Sequence, residues 1–250
     1  MFGFLRSVYA VSWSDACFMK HHALDIAVST LMSPLLYVLV FGYGVSSYIS
    51  TDGDISYLAI VVPGISAMTS LSASFSSTSG RLNVQRLYYS CFDELMLCPV
   101  SASAMVVGKA LMGVLRGLSG SIIIFCIGLF LAPELMLTPL FLVSILISCF
   151  TFSFLGIAAA LMSKTHQSMA TFSSLVILPM TFLCGTFFSI SDMDTPLQWV
   201  FYIFPLSHST ETARASALGL DFPWVSLIIL TVFGIAFFLL NVYLIKSKKV

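Results

Sequence analysis

The pair Gly108-Lys109 is where a phosphate-binding loop would be sought in this sequence. Such a loop has the pattern Gly-x-x-x-x-Gly-Lys-Ser/Thr, follows a strand, and cradles phosphates with backbone N–H groups. Here Ala110 follows the lysine, and Ser103 stands where the first glycine is required. The flanking residues favour a helix. We therefore predict no nucleotide-binding site in this chain, so that any ATP it depends on is bound by another polypeptide.

Histidine and cysteine do not form a metal-binding pattern either. The four histidines are dispersed, and the six cysteines occur singly, with no Cys-x-x-Cys pair. These spacings match neither a metal site nor a disulfide framework. We predict no metal site and no cofactor bound by this chain. His208, which follows Pro205, is either a structural residue held by hydrogen bonds or an element of a gate.

The segment Gly64-Ile65-Ser66-Ala67 has a weak likeness to an intramembrane serine protease, with Ser66 as the nucleophile. A nucleophilic serine needs a base such as histidine within about 3 Å on a rigid scaffold. No predicted membrane span contains a histidine. We therefore predict no catalytic residue and no enzyme activity in this chain.

The composition is that of an integral membrane protein. Of the 250 residues, 58% are hydrophobic and 9% are charged, and the mean hydropathy is +1.01. Soluble domains carry about 25% charged residues. A chain of this length with so little polar material predicts one membrane domain, residues 1–250, with no separate soluble domain.

Six segments are long and apolar enough to span a bilayer, which takes about 20 residues. Because the backbone must satisfy its own hydrogen bonds in lipid, we predict that these segments are helices and that the fold is all-α. The six predicted spans lie at about residues 24–44, 56–76, 104–132, 139–162, 168–188 and 223–245.

Two further regions are amphipathic or broken. Residues 1–22 have apolar positions at roughly helical spacing with polar residues between them, which predicts a helix in the membrane interface. Residues 189–221 combine aromatic side chains such as Trp199 with Pro196 and Pro205. We predict a re-entrant pair of short helices here, since irregular backbone is tolerated at membrane depth where protein covers it.

A polar stretch, Gly80–Lys109, interrupts the apolar sequence between the second and third spans. Within it, Leu82–Leu97 can form an amphipathic helix that Pro99 ends, and Ser101 can cap the next span. One interpretation is an ordinary interfacial helix without a partner. The other is a strut that docks into a soluble subunit and transmits its motion into the spans. Residue chemistry alone leaves both open.

The loop charges predict the orientation. If the N-terminus is cytoplasmic, nine basic residues lie on the cytoplasmic side and one, Arg214, lies outside, which is decisive under the positive-inside rule. Both termini are therefore predicted to be cytoplasmic. The nine are Arg6, Lys20, Arg81, Arg86, Lys109, Lys164, Lys246, Lys248 and Lys249; the acids predicted outside are Asp52, Asp54, Glu134, Asp192, Asp194, Glu211 and Asp221.

Arg116 lies about two helical turns beyond Lys109, inside the third predicted span. A charge near the bilayer centre costs about 2.5–3.5 kcal/mol on insertion scales. Arg116 either contacts an anionic head group that enters from the cytoplasmic leaflet, or it has a structural role. In the structural alternative it reaches the interface or pairs with an acid such as Asp25.

Short motifs along the whole chain resemble the ABC-2 type permeases, the membrane subunits of ATP-binding-cassette exporters, and look closest to the nodulation-factor, O-antigen and drug exporter subgroup. Each motif is weak alone, but their order is specific to the family. They are Ser33-Pro34-Leu35, Phe41-Gly42, Val62-Pro63-Gly64, Asp93-Glu94-Leu95, Cys98-Pro99-Val100-Ser101, Gly108-Lys109, Pro179, Phe182, Gly185, Phe187-Phe188, Pro196-Leu197, Pro205-Leu206 and Arg214.

The resemblance implies a six-span permease with an interfacial helix, a cytoplasmic coupling helix in residues 80–101 and re-entrant helices before the last span. It also implies a location in the inner membrane of a prokaryote and no nucleic-acid partner. Two permeases, as a homodimer, would work with two soluble ATPase subunits that bind ATP and Mg²⁺. The cargo would be amphipathic: a lipid-linked saccharide, a glycolipid or a drug.

Site residues follow from the resemblance together with the polar and irregular positions described above. Those expected at the ATPase contact are Arg86, Phe92, Asp93, Glu94, Leu95 and Pro99. Those that are candidates for contact with substrate or for a gate are Arg116, Pro179, Phe187, Phe188, Pro205 and His208. The alternative function is an ion-coupled secondary transporter or channel that works without an ATPase. Such proteins usually need ionisable ligands deep in the membrane. No acidic or histidine residue lies deep in a predicted span, since Asp25 is near the end of its span.

Overall fold

A computed structural model of the protein describes residues 2–45, 56–186, 198 and 201–248. Every regular element in these ranges is helical. The α-helices are α1 (Phe2–His21), α2 (Ala23–Leu39), α3 (Tyr57–Leu87), α4 (Cys91–Leu97), α5 (Ala102–Leu131), α6 (Pro139–Met162), α7 (His166–Phe172), α8 (Leu178–Leu183), α9 (Pro205–Leu218) and α10 (Trp224–Lys248). Two wider, π-helical segments follow α2 and α7: Val40–Val45 and Ser173–Ile177.

Within the described residues, five helical stretches are long and apolar enough to cross a bilayer. Each has at least the roughly 20 residues that a span needs. A helix also satisfies its backbone hydrogen bonds internally, as lipid requires. The prediction of an all-helical membrane protein is therefore confirmed. The five stretches are Ala23–Gly42, Tyr57–Leu87, Ala102–Leu131, Pro139–Met162 and Trp224–Ser247.

The predicted span at 168–188 is not one of these five helices. In the described residues it is divided among α7, the π-helical segment Ser173–Ile177 and α8. Pro179, in the first turn of α8, has no N–H, and a proline ring crowds the carbonyl four residues earlier. The wider turns lie immediately before it and accommodate this break. The count of six spans therefore stays a prediction.

The helix predicted over Leu82–Leu97 is wrong as a single helix. α3 continues to Leu87 because nothing before that residue breaks it, and α4 begins separately at Cys91. Between them Ser90 has a φ of 53°, in the left-handed region that interrupts a right-handed helix. The polar stretch therefore consists of two helical pieces joined by a tight turn.

Small residues let α5 and α6 approach α3, which lies at the centre of the bundle and is mostly buried. A side chain at Gly113 or Gly117 of α5, or at Gly156 of α6, would collide with atoms of α3. These contacts fall on the serine-rich part of α3, residues 70–79, through Ser74 and Thr78. Ser101 caps α5 as predicted, accepting a hydrogen bond from the N–H of Ala104 at 3.3 Å.

The two ends of the bundle differ in charge. We call the end at which α1 and α4 lie the basic end, and the opposite end the acidic end. The basic end carries Arg81, Arg86 and Lys109, and the acidic end carries Glu134, Glu211 and Asp221.

Candidate functional site

α4 is a short helix at the basic end that connects α3 directly to α5. Its Phe92 is 2% exposed and lies in a buried cluster with Leu82 of α3 and Met105 of α5. Leu95 is half-buried against the same cluster, and Pro99 lies just beyond the end of the helix. Full burial of a phenylalanine contributes about 1.5–3 kcal/mol. Phe92 therefore anchors α4 to the two long helices.

The opposite side of α4 is exposed. Asp93 and Glu94 occupy the first turn and are exposed, where carboxylates interact favourably with the backbone N–H groups of a helix start. Leu97 is 88% exposed, and Tyr88 and Tyr89 are each 69% exposed. We call these five residues the α4 surface. Two acids beside three large exposed apolar or aromatic side chains favour a protein-binding surface of negative charge.

Arg86 is not part of the α4 surface. Its Nη1 lies 2.7, 2.8 and 2.9 Å from the carbonyl oxygens of Ala160, Leu161 and Ser163, respectively. These carbonyls end α6 and have no donors within their own helix. Of the residues expected at an ATPase contact, Arg86 and Phe92 thus serve the packing of the protein itself, whereas Asp93 and Glu94 face outward. The contact of Asp93 and Glu94 with a partner stays a prediction.

A buried network centred on Asp15 ties α1 to α3 and α5. One carboxylate oxygen, Oδ1, accepts hydrogen bonds from Arg81 Nε and, at 3.0 Å, from Gln85 Nε2. The other, Oδ2, accepts from Lys109 Nζ at 2.9 Å, and the same ammonium donates to Gln85 Oε1 at 2.7 Å. The Asp15 side chain is 3% exposed. These bonds position α1 beside α4.

The charge state of Asp15 follows from two opposing effects. Burial raises the pKa of the Asp15 carboxyl, but Lys109 and Arg81 together more than offset it and hold the pKa below its ordinary value of 3.8. Asp15 is therefore ionised at neutral pH. The sequence reasoning treated it as a polar position of an interfacial helix and missed the network. One signal was present in the sequence. Asp15 is an acid, whereas the charged residues predicted at the same membrane surface are mostly basic.

A cavity of about 490 Å³ lies among α2, α3, α5 and the α7–α8 segment. Arg116 lines it, and donates from Nε to Thr30 Oγ1 at 2.8 Å and from Nη2 to Ser29 Oγ at 3.2 Å. The pairing of Arg116 with Asp25, one of the alternatives above, is not found: the Asp25 carboxylate pairs with His22 at 3.6 Å. The cavity and its hydroxyl groups were not predicted, because they arise from four segments distant in sequence.

The other gate candidates lie in separate places. Pro179 is in the first turn of α8, and Pro205 begins α9. His208 is 2% exposed, and its Nε2 donates to the carbonyl of Tyr202 at 3.0 Å; within the described part of the chain its Nδ1 has no hydrogen-bond partner. This geometry favours the structural interpretation of His208. Phe187 and Phe188 lie outside the described residues.

Arg214 joins three elements near the acidic end. Its Nε donates to the carbonyl of Ile60 in α3 at 3.1 Å, and its Nη2 donates to the carbonyl of Gly185, after α8, at 2.8 Å. A guanidinium supplies several donors in a fixed plane and can bond backbone carbonyls of two segments at once. Arg214, which lies in α9, therefore holds the helix ends together.

The helices that flank α4 also line the cavity. α4 joins α3 and α5, and both of these helices contribute walls to the cavity, including Ser76 of α3 and Arg116 of α5. α4 is thus linked in sequence to two of the helices that form the cavity walls. Among residues 2–45, 56–186, 198 and 201–248, no group of three or more His, Cys, Asp or Glu side chains is arranged to hold a metal ion.

Comparison with known proteins gives one family match and several distant relatives. The family described as ABC-2 type transporter matches residues 7–218. The inner membrane transport permease YadH of Escherichia coli K12 is 27% identical over 236 residues, covering 92% of each chain. Nodulation protein J of Rhizobium meliloti is 24% identical over 246 residues, covering 92% of this chain and 88% of that protein. Nodulation protein J of Rhizobium leguminosarum bv. trifolii is 24% identical over 215 residues, covering 80% and 77%.

Proposed function

Because the chain belongs to the ABC-2 type transporter family, we propose that it is the membrane subunit of an exporter driven by a separate, soluble ATPase. The observation that carries this proposal is α4: its inner side is fixed by the buried Phe92, and its outer side presents Asp93 and Glu94. The ATPase binds ATP and Mg²⁺ and docks on the α4 surface. The permease itself performs no chemistry.

The proposed coupling is mechanical. Closure of the ATPase subunits on ATP pushes α4 along the membrane normal. Because Phe92 is packed between α3 and α5, the two helices follow. Their shift changes the width of the cavity that they line. Packed helices transmit such motion because protein interiors are dense and move as discrete, rigid units.

The proposed location is the inner membrane, with the basic end and both termini in the cytoplasm. The distribution of Lys and Arg supports this orientation. The relative YadH carries the name inner membrane transport permease. In this orientation α4 faces the cytoplasm, which is where a soluble ATPase is found.

We also propose that two copies of the chain act together. Apolar side chains beside the cavity remain exposed: Met32 and Leu36 of α2 are 59% and 55% exposed, and Leu178 and Phe182 of α8 are 56% and 52% exposed. A second copy placed against this side would cover them and enclose the cavity. The cavity is lined by both hydroxyl and apolar side chains, which suits an amphipathic cargo.

Charge reversal on α4 tests the proposal. We expect Asp93→Lys combined with Glu94→Lys to lower copurification of the ATPase about tenfold or more, because each change replaces attraction by repulsion at the contact. Affinity-tagged permease is isolated from its native membrane, and the bound ATPase is quantified by mass spectrometry.

The matched control is Asp221→Lys, which reverses an exposed acid at the opposite end of the bundle. It should leave copurification unchanged. Undiminished ATPase with the double variant would refute the assignment of the contact to α4, and the absence of any ATPase from the wild-type preparation would refute the proposed function.

A further inference from the structure

Arg116 carries a charge that no acid of the described chain neutralises. Its two hydrogen-bond partners, the hydroxyl groups of Thr30 and Ser29, are neutral. The ion pairs within the described residues involve Asp15 or Asp25, and Arg116 belongs to none of them. A guanidinium has five N–H donors, of which these contacts use two. The side chain therefore retains both its positive charge and unused donors.

The depth of Arg116 places it inside the membrane, near one face. It lies seven residues beyond Lys109, which is about 10 Å along a helix. Ser29 and Ser173 lie at the same separation from His22 and His166, respectively, near the starts of α2 and α7. The three segments thus bring polar groups to one level, about two turns in from the basic end. In the proposed orientation this level lies near the boundary between head groups and acyl chains of the cytoplasmic leaflet.

Hydroxyl groups lie around the guanidinium, and among the described residues no carboxylate lines the cavity. Serine and threonine hydroxyls and a guanidinium all donate hydrogen bonds to phosphate oxygens, and arginine matches phosphate geometry with two parallel bonds. A cationic ligand would find no counter-charge here. The hydroxyl-bearing residues that line the cavity beside Arg116 include Ser29, Thr30, Ser33, Ser76, Ser173 and Ser174.

The rim of the cavity is apolar and exposed. Leu178 and Phe182 line it, and Met32 and Leu175, which are 59% and 71% exposed, lie on the flanking segments. A hydrocarbon chain attached to a bound anionic group would lie along these side chains without losing its apolar surroundings. The cavity of about 490 Å³ is of a size that holds a head group.

We propose that this cavity binds a phosphate-type anionic group of an amphipathic molecule, with Arg116 as the cation that recognises it. The inference rests on the proposed function only for the direction in which the ligand enters the cavity, which is from the cytoplasmic leaflet. It narrows the cargo to lipid-linked phosphates and related anionic amphiphiles, and excludes cationic drugs. The same chemistry serves a lipid head group or a soluble phosphate compound.

Lipid binding by the purified full-length chain tests this inference. Native mass spectrometry compares retention of phosphatidylglycerol with retention of phosphatidylcholine. We expect the wild type to prefer phosphatidylglycerol, and Arg116→Gln to reduce that preference about tenfold, as loss of a charged hydrogen bond requires. Arg116→Lys keeps the charge and should retain most of the preference. Ser174→Asp leaves Arg116 in place but supplies a competing carboxylate, and should also abolish the preference.

Lys246→Gln is the control, because it removes one exposed positive charge near the basic end but away from the cavity. It should behave as the wild type. Displacement of phosphatidylglycerol by millimolar inorganic phosphate would support a soluble source of the anion, and resistance to it a lipid source. Equal preference in the wild type, Arg116→Gln and Ser174→Asp would overturn the inference. Copurification of the ATPase is measured separately. A failure of this inference can therefore be distinguished from a failure of the proposed function.

Discussion

Replacing Gly156 by leucine is expected to lower the free energy of unfolding by about 3 kcal/mol or more. A Cβ at this position would lie 2.9 Å from the carbonyl oxygen of Phe75 and would overlap Thr78 Oγ1, both on α3. The carbonyl belongs to a helical backbone and cannot rotate away. The new side chain therefore has to separate α6 from α3.

Thermal stability of the detergent-solubilised protein, followed by fluorescence-detected size exclusion after heating, measures this effect. The apparent Tm of Gly156→Leu should fall by about 6 °C or more. Gly80→Leu is the matched control, because a Cβ there meets nothing within 4 Å and leucine favours a helix more than glycine does. A normal Tm for Gly156→Leu would show that α3 and α6 do not pack as described.

Removing the carboxylate of Asp15 is expected to cost about 3–5 kcal/mol, since breaking a buried ion pair leaves its partner without a counter-charge. In Asp15→Ala, Lys109 retains its positive charge with a side chain that is 10% exposed. Arg81 also loses its carboxylate partner, and α1 loses the three hydrogen bonds that its Asp15 carboxylate accepts from α3 and α5. Asp25→Ala is the control, because that exposed carboxylate lies at the same end of the bundle.

The effect of Asp15 depends on pH with a definite sign. The folded protein holds the pKa of this carboxyl below 3.8. The contribution of Asp15 to the free energy of unfolding is therefore fully present above that value, and it is lost as pH falls through the folded pKa. The Tm difference between the wild type and Asp15→Ala should therefore be constant from about pH 5 to pH 8 and shrink below about pH 4. A difference that grows on acidification, or none at neutral pH, would contradict the network.

The sequence was sufficient for the elements that depend on composition and local breaks. Runs of apolar residues predicted the helices that cross the bilayer, and the polar residues around Asp93 with Pro99 behind them predicted a separate segment there. The tight turn at Ser90 was missed, because Tyr88-Tyr89-Ser90 contains no glycine or proline to signal a left-handed residue. The helix prediction over Leu82–Leu97 failed for this reason.

Tertiary pairing could not be read from the chain. Asp15 meets Arg81 and Lys109 across 66 and 94 residues of sequence, and no local pattern encodes such contacts. The sequence marks Arg116 as unusual, but its hydroxyl partners depend on the packing of α2 against α5. Charge within an apolar span signals that a site exists; it does not reveal which helices complete it.

The accessibility of Cys98 tests most directly whether α4 receives a cytoplasmic ATPase. Cys98 follows α4 and is an exposed free thiol, and the other five cysteines can be replaced by alanine. We predict that a membrane-impermeant maleimide labels Cys98 in inverted vesicles stripped of ATPase, fails to label it in spheroplasts, and is blocked when the ATPase is added back. Labelling from the outside of spheroplasts, or unchanged labelling with the ATPase bound, would contradict the account.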